Sequence, residues 1–199
     1  MIGIIDYGAG NLKSVKKAFD FLEVKSVVIP SAEEWGAIDR LVLPGVGAFG
    51  AVAEQLRRRG LSALLREWLA ADRPFLGICL GMQLLLEGSE ESPEAEGFGI
   101  FRGRCRRFRE GKVPQIGWNE VRPNRSHPLF FGIADLTFFY FIHGYHVPPL
   151  SDPSVAAETD YHIRYPSVLA SGNRIGVQFH PEKSGEDGIR LLRNWTERC

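Results

Sequence analysis

Residues 74–83 read Pro-Phe-Leu-Gly-Ile-Cys-Leu-Gly-Met-Gln, an apolar stretch that runs into a cysteine set between two glycines. The pattern Gly-x-Cys79-x-Gly predicts a nucleophile elbow, a sharp turn from a buried strand into a helix that lifts a reactive atom above a sheet. Glycines are favoured on both sides because Cβ atoms there would collide with the adjoining strand and helix. We predict a strand over Pro74–Ile78 and a helix over Leu80–Glu87, whose first N–H groups favour a thiolate at Cys79. A small core cysteine is the alternative interpretation.

A second candidate segment lies near the other end of the chain. Residues 174–184 predict a strand, Ile175–Phe179, that ends in His180-Pro-Glu182. A cysteine nucleophile needs a base to accept its proton, and the base needs a third group that fixes its orientation. In an extended segment residues i and i+2 point the same way, so His180 and Glu182 can face one pocket. Taken singly, these two could be a strand-end histidine bonded to a carbonyl and an acidic residue at a helix start; together with the elbow they predict catalysis.

Composition excludes several classes of protein. The chain has 199 residues, with 24 basic and 24 acidic side chains, so it has no net positive field for nucleic acid or an acidic membrane. Three cysteines, Cys79, Cys105 and Cys199, have no metal-ligand spacing and no disulfide pattern, which favours reduced thiols. No secretory signal or membrane span is apparent. We therefore expect one domain over residues 1–199 in the cytoplasm.

Strands and helices alternate in the first half, which predicts right-handed crossovers and a largely parallel sheet. These predicted elements are strands Ile2–Ile5, Ser26–Ile29 and Arg40–Leu43 and helices Leu12–Leu22 and Ala51–Ala71, the latter broken at Gly60. After Gly88 the pattern becomes strand-like, with two or three of the segments expected to pair antiparallel and a last helix over Glu186–Arg198. The strand-like segments are Phe98–Phe108, Pro114–Val121, Leu136–Val147 and Val168–Phe179, and Ser89–Gly97 is predicted to be a polar surface loop. The fold class is α/β, with helices on both faces of a mostly parallel central sheet and additional antiparallel strands.

Candidate residues follow several of the predicted strands. Because ligands bind beyond the carboxyl ends of strands in open parallel sheets, Asp6–Asn11, Pro44–Phe49, Cys79 and His180 are expected at one edge. Pro44-Gly-Val-Gly47 is suited to supply a backbone N–H to an oxyanion, either directly or after a peptide flip, although an ordinary tight turn is also possible.

The glycine loop after the first strand does not indicate a dinucleotide site. Gly8-x-Gly10 lacks the third glycine, whose position holds Lys13, and no acidic residue closes the second strand. His143 and His146 do not complete a metal ligand set. The sequence therefore predicts no cofactor and no metal.

Together these segments resemble class I, triad-type glutamine amidotransferase domains over essentially the full chain. Gly77-Ile-Cys-Leu-Gly-Met-Gln83 and His180-Pro-Glu182 are the two shared motifs. Other segments narrow the resemblance to glutaminase subunits of the histidine pathway. They are Asp6-Tyr-Gly-Ala-Gly-Asn11, Pro44-Gly-Val-Gly-Ala-Phe-Gly50, Pro114-Gln-Ile-Gly-Trp-Asn119 and Gly176-Val-Gln-Phe-His-Pro-Glu-Lys-Ser184.

The resemblance implies a flavodoxin-like three-layer fold and a glutaminase site. Cys79 would form a γ-glutamyl thioester, His180 would shuttle the proton and Glu182 would orient His180. L-glutamine would be bound by Gln83 and Tyr145, with Gly47 and Leu80 near the oxyanion.

The resemblance also implies a partner. Ammonia released into water is protonated to unreactive ammonium, and the chain has no room for a second synthase site. The partner in the family is a (β/α)₈-barrel cyclase, which makes imidazole glycerol phosphate and aminoimidazole carboxamide ribotide and forms a heterodimer with the glutaminase. Lys183 is suggestive, since a cation in the first turn opposes the helix dipole. The residues expected to contact the cyclase are Asn11, Trp118, Asn119 and Lys183.

Three other interpretations stay open at this point. The chain could be a glutaminase that serves purine, pyridoxal phosphate or chorismate chemistry, although the Trp118-Asn119 segment argues against this. It could be a stand-alone cysteine hydrolase of the same fold, or a binding protein in which Cys79 is inert.

Overall fold

The computed structural model describes residues 1–8, 11–123, 127–149 and 152–199. The helices are α1 (Leu12–Phe21), α2 (Phe49–Arg58), α3 (Leu61–Ala70), α4 (Leu80–Gln83) and α5 (Gly185–Arg198). The strands are β1 (Ile2–Ile5), β2 (Ser26–Ile29), β3 (Arg40–Gly45), β4 (Phe75–Cys79), β5 (Gly88–Ser89), β6 (Ser92–Glu96), β7 (Arg104–Arg107), β8 (Gln115–Pro123), β9 (Thr137–His143), β10 (Tyr145–His146), β11 (Val155–Tyr161), β12 (Ile163–Ser171) and β13 (Arg174–Val177). Within this part of the chain, no helix is both long and apolar enough to cross a bilayer.

The central sheet is mixed, with a larger parallel part and a smaller antiparallel part. Its nine strands, counted over the described residues, follow the order β2-β1-β3-β4-β13-β12-β11-β8-β9. The first five run parallel, because helices or long crossovers return the chain to the same edge. The other four are joined to β13 and to one another by antiparallel pairings. The antiparallel part therefore contains more strands than the two or three segments expected from sequence.

Helices cover both faces of the parallel half, which confirms the predicted fold class. On one face, α1 and α5 pack on Ile4 and Val42. On the other, α2 and α3 pack on Ile5, Leu41 and Leu43. Neighbours along one strand thus belong to different cores, as the two-residue period of side chains in a strand requires. Gly60 separates α2 from α3 with a positive φ of 69°, so the predicted break is confirmed.

A second, smaller sheet was not expected. Its strands, over the described residues, follow the order β10-β7-β5-β6. The prediction of a polar surface loop over Ser89–Gly97 is wrong, because β6 lies within it and pairs with β5. Phe98–Phe108 is not one strand, since only β7 is extended there; it presents exposed arginines around the buried Cys105.

Two further predictions of elements are corrected by the structure. The predicted helix over Leu80–Glu87 ends after one turn, at Gln83. The next three residues are fully buried: Leu84, Leu85 and Leu86. A surface helix cannot bury three successive positions, because they lie on different sides of it, so the chain leaves the helix and enters β5. Val168–Phe179 is a hairpin rather than one strand, with β12 and β13 joined at Gly172, where φ is 57°.

Candidate active site

Cys79 occupies a strained turn at the end of β4. Its backbone φ and ψ are 53° and −107°, values that non-glycine residues adopt only when the surroundings enforce them. A Cβ on Gly77 would come within 2.5 Å of the carbonyl oxygen of Gly81, and a Cβ on Gly81 would strike the carbonyl oxygen of Leu43. The backbones of β4, the turn and the neighbouring strand β3 approach too closely for side chains at these two positions, so the sequence folds here as an elbow.

The helix that follows Cys79 is short, and this changes the electrostatic argument. α4 has four residues, so it has little of the macrodipole that an eight-residue helix would supply. Any preference for an anion at Cys79 therefore depends on the first-turn N–H groups themselves rather than on an aligned column of peptides.

The sulfur of Cys79 is almost buried and lies among polar groups. Sγ is 3.8 Å from the carbonyl oxygen of Ile142 and 3.6 Å from Nε2 of Gln178, which donates to it. Oε1 of Gln178 in turn accepts from Nε2 of Gln83 at 3.2 Å. Sequence reasoning missed Gln178. Its position two residues before His180 in an extended segment was the available signal, because both side chains then point the same way.

Gln83 is buried rather than facing solvent, with 4% of its surface exposed. Its Nε2 also donates to the carbonyl oxygen of Tyr145, at 2.9 Å. Gln83 therefore connects the elbow, the segment after β13 and β10.

His180 and Glu182 form a buried pair next to the elbow. Nδ1 of His180 lies 2.7 Å from Oε1 of Glu182, and both side chains are almost completely inaccessible. Nδ2 of Asn11 donates to the same carboxylate oxygen at 2.9 Å. Because β13 pairs directly with β4, Val177 opposite Ile78, the residues that follow the two strands meet at the same edge of the sheet.

The electrostatics of His180 favour the imidazolium. Burial lowers its pKa, but the charge of Cys79 and hydrogen bonding to it, together with Glu182, outweigh burial and raise the pKa from 6.5 to about 10. Nε2 of His180 has no hydrogen-bond partner among the described residues. Attraction to the charge of Cys79 does not depend on hydrogen-bond alignment. The charge of Cys79 and the bond to Glu182 therefore account for the raised pKa, and the arrangement suits an imidazolium at His180.

His143 is the other histidine at the site, and its properties are opposite. Burial lowers its pKa to about 3, and Nδ1 lies 2.8 Å from the carbonyl oxygen of Tyr145. A neutral, hydrogen-bonded imidazole of this kind is a poor proton shuttle near neutral pH. His180 is therefore the better candidate base.

A cavity of about 200 Å³ opens beside Cys79. This is below the ~300–1,000 Å³ of clefts for drug-sized ligands, so it suits a ligand of amino-acid size. Its lining residues are Val46, Gly47, Cys79, Leu80, Gln83, Glu91, Ile142, His143, Gly144 and Tyr145. Glu91, which sequence reasoning did not identify, brings a carboxylate to the cavity, and its Oε2 accepts from the N–H of Phe49 at 2.7 Å.

The predicted oxyanion residues lie at the same cavity. Gly45 pairs with Cys79 in the sheet, which brings the Pro44–Gly47 loop beside the elbow. Gly47 has a φ of 109°, a conformation that other residues rarely adopt. Gly47 and Leu80 both line the cavity, as does Tyr145.

The four predicted partner contacts differ in their surroundings. Trp118 is 55% exposed, and its ring packs edge-on against Tyr140 at 6.2 Å. Lys183 is exposed, with Nζ 5.8 Å from the centre of the same ring. Asn119 is half-buried, and its Nδ2 donates to the carbonyl oxygen of Asp160 at 2.9 Å. The side chain of Asn11 is engaged with Glu182, and Ala9 and Gly10 of the same motif lie outside the described residues.

The outer face of β8 and β9 is unusually apolar. We define the outer patch as four side chains that are 38–55% exposed on this face. They are Ile116, Trp118, Phe138 and Ile142. Since Ile142 also lines the cavity, the outer patch reaches the site. Exposed apolar groups of this kind mark interaction surfaces.

A family model described as glutamine amidotransferase class-I matches residues 3–199, so the chain belongs to that family. The curated relatives are more specific. The chain is 48% identical over 195 residues to the imidazole glycerol phosphate synthase subunit HisH of Symbiobacterium thermophilum, covering 98% of this chain and 92% of the relative. It is 45% identical over 202 residues to the HisH subunit of Methanocaldococcus jannaschii, covering 99% of both. Within its family, the chain therefore groups with the HisH subunits.

Solved structures agree on the fold. A crystal structure described as a glutamine amidotransferase superimposes with a TM-score of 0.78 at 19% identity, covering 98% of this chain and 97% of the other. PurLQS from Thermotoga maritima gives a TM-score of 0.76 at 15% identity, covering 98% and 96%. At these identities the likeness concerns the fold alone.

Proposed function

We propose that residues 1–199 form one glutaminase domain, the glutamine-hydrolysing subunit of imidazole glycerol phosphate synthase. It releases ammonia from L-glutamine and delivers it to a cyclase in histidine biosynthesis. The observation that carries the proposal is the elbow cysteine at an amino-acid-sized cavity, next to a histidine whose pKa is raised to about 10 by Cys79 and Glu182.

The proposed reaction has two steps. Sγ of Cys79 attacks the side-chain amide carbon of glutamine, and the N–H of Leu80 together with an N–H of the Pro44–Gly47 loop stabilises the oxyanion. The imidazolium of His180 gives its Nε2 proton to the amide nitrogen, the C–N bond breaks, and ammonia leaves a γ-glutamyl thioester. Water then attacks the thioester, neutral His180 accepts its proton, and cleavage of the C–S bond releases glutamate. Glu182 holds the Nδ1–H of His180 throughout.

The cavity offers matching groups for the amino-acid end of glutamine. Glu91 supplies a carboxylate for the substrate ammonium group, and Gln83 and Tyr145 lie along the same wall. Gln83 donates to the backbone of Tyr145, so we expect it to bind glutamine mainly by fixing that backbone rather than through a free amide.

The partner in this proposal is a (β/α)₈-barrel cyclase bound as a heterodimer. Ammonia must reach its acceptor before water protonates it, so the partner has to cover the edge where the cavity opens. The outer patch supplies apolar area there, and Trp118 and Lys183 supply exposed anchors. Asn119 and Asn11 would contribute mainly by holding β8 and Glu182 in place.

The decisive experiment measures ammonia release from glutamine with and without purified cyclase. Wild type with the cyclase is expected to release ammonia and to support imidazole glycerol phosphate synthesis from glutamine. Cys79→Ala should abolish both, while Cys199→Ala, at the half-buried end of α5, should leave both unchanged. Equal activity of Cys79→Ala and wild type would refute the proposal, and full partner-free hydrolysis would favour a stand-alone hydrolase.

A further inference from the structure

One buried hydroxyl holds the loop that borders the cavity. Tyr7 lies two residues beyond β1, with 1% of its surface exposed. Its Oη accepts the N–H of Val46 at 3.0 Å and donates to the carbonyl oxygen of Val46 at 3.3 Å. A hydroxyl has one hydrogen to donate and two lone pairs, so both bonds can exist together. Tyr7 therefore holds the peptide groups on both sides of Val46.

These bonds determine which backbone groups can face the substrate. Val46 and Gly47 line the cavity, whereas Tyr7 is not among the described residues that line it. A backbone N–H stabilises an oxyanion only when it points at the oxygen, and the N–H of Val46 points at Tyr7 instead. Because a trans peptide directs its N–H and C=O to opposite sides, the two bonds fix both peptide planes. Reorienting the loop requires that they break.

The phenol keeps its proton under working conditions. Burial raises the pKa of Tyr7 to about 12, the bond with Val46 works against this, and the charges of Cys79 and Asp6 add to it. Tyr7 thus remains both donor and acceptor near neutral pH.

We propose that Tyr7 is a latch on the Pro44–Gly47 loop, which keeps the Val46 N–H away from the substrate oxyanion until partner docking shifts the end of β1. This inference rests on the glutaminase function proposed above. Its route to the partner is short, because Asn11 lies four residues after Tyr7 and donates to Glu182. A partner that moves this segment acts on the latch and on the orienting carboxylate together. Tyr7 is a positioning residue in this scheme, since it touches neither substrate nor the reacting atoms.

The test removes only the hydroxyl, with Tyr7→Phe. Glutaminase activity of the isolated protein is expected to rise about tenfold, less than the ~10²–10³ that a fully oriented donor is worth, because the freed loop still has to reach the productive orientation. Activity in the saturated cyclase complex is expected to stay within about twofold of wild type. The activation ratio therefore falls by about the same tenfold factor. A gain of activity is the informative result, because structural damage would lower both rates.

Two further measurements keep the test sharp. Hydrogen exchange of the Val46 amide, followed by NMR, should accelerate in Tyr7→Phe. Tyr161→Phe is the matched control, since its hydroxyl donates to the carbonyl oxygen of Lys112 at 2.7 Å, in another part of the fold; it should change neither the isolated activity nor the Val46 exchange.

The possible failures are distinguishable. Unchanged or lower isolated activity in Tyr7→Phe, with a fully active wild-type complex, overturns the latch alone. Unchanged Val46 exchange in that variant overturns it as well. A wild-type complex that releases no more ammonia than Cys79→Ala overturns both the latch and the proposed function.

Discussion

Glu182→Gln is the substitution whose effect the site geometry defines best. Oε1 of Glu182 accepts from His180 and from Asn11, and an amide oxygen of similar position can accept from both. The substitution therefore keeps the shape and removes the charge. A hydrogen bond to a charged group is worth ~1.5–3 kcal/mol, and each 1.36 kcal/mol changes a rate tenfold, so we expect kcat for glutamine hydrolysis to fall about 10- to 150-fold. KM should change little, because Glu182 does not line the described cavity.

The assay measures ammonia release in the cyclase complex over a range of glutamine concentrations. NMR titration of the His180 ring adds a second reading, since loss of the carboxylate should lower its pKa from about 10 toward 6.5. Glu186→Gln, an exposed carboxylate in the first turn of α5, is the matched control and should leave kcat and the titration unchanged. A kcat within twofold of wild type, or a raised KM at constant kcat, would refute this reasoning.

Three other predictions follow from the same structure. Gly81→Ala forces a Cβ against the backbone of Leu43 and should lower the free energy of unfolding by ~1–3 kcal/mol. At ~2–4 °C per kcal/mol, calorimetry should show a loss of about 2–12 °C in Tm. Gly36→Ala, with no atom within 4 Å of its added Cβ, is the control and should lose less than ~2 °C. Because the pKa of His180 is raised, its contribution to stability is complete below pH 6.5 and is lost as pH rises through about 10. The free energy of unfolding, measured with urea, should therefore fall between these pH values. A flat profile would contradict the raised pKa of His180. Trp118→Ala should weaken cyclase binding about 30-fold or more by titration calorimetry, as expected of an exposed tryptophan that the partner buries. Phe21→Ala, at a side chain 73% exposed on α1, should not weaken it, and equal effects would exclude Trp118 as an anchor.

The elbow could be predicted from sequence because its cause is local. Glycines two residues on either side of Cys79 are needed wherever a strand turns this sharply, whatever the rest of the fold does. The strands before the elbow have equally local signals, since short apolar runs alternate with helical stripes. β1 and β2 accordingly have the predicted bounds, and β3 extends two residues further.

The missed elements depend on distant partners. β11 is rich in alanine and acidic residues and has little intrinsic preference for a strand, but it is held between β12 and β8. α4 ends early because the small sheet captures Gly88, which pairs with Glu96 and Arg104. Neither effect is visible in a local window of sequence.

At the site too, contacts between nearby residues could be predicted and a contact between distant residues could not. His180 and Glu182 are two residues apart, so their meeting could be anticipated. The bond from Asn11 to Glu182 spans 171 residues, and sequence reasoning accordingly assigned Asn11 to the partner rather than to the carboxylate. Both assignments remain compatible, because a partner that contacts this segment would act on Glu182 through Asn11.

Tyr140 links the outer patch to His180, the proposed catalytic base, through backbone bonds. Its ring carries the contacts with Trp118 and Lys183 on the outer face. Its carbonyl oxygen accepts the N–H of His180 at 2.9 Å, and its own N–H donates to Oγ of Ser184 at 3.0 Å. Oγ of Ser184 also donates to the carbonyl oxygen of His180, at 2.6 Å. A partner seated on the outer patch would therefore press on a residue that fixes the backbone of His180 on both sides. This connection is independent of Tyr7. In the proposed scheme, docking would therefore have two routes into the site, one to the Pro44–Gly47 loop and one to His180. A variant that frees the loop alone should then retain part of its dependence on the partner.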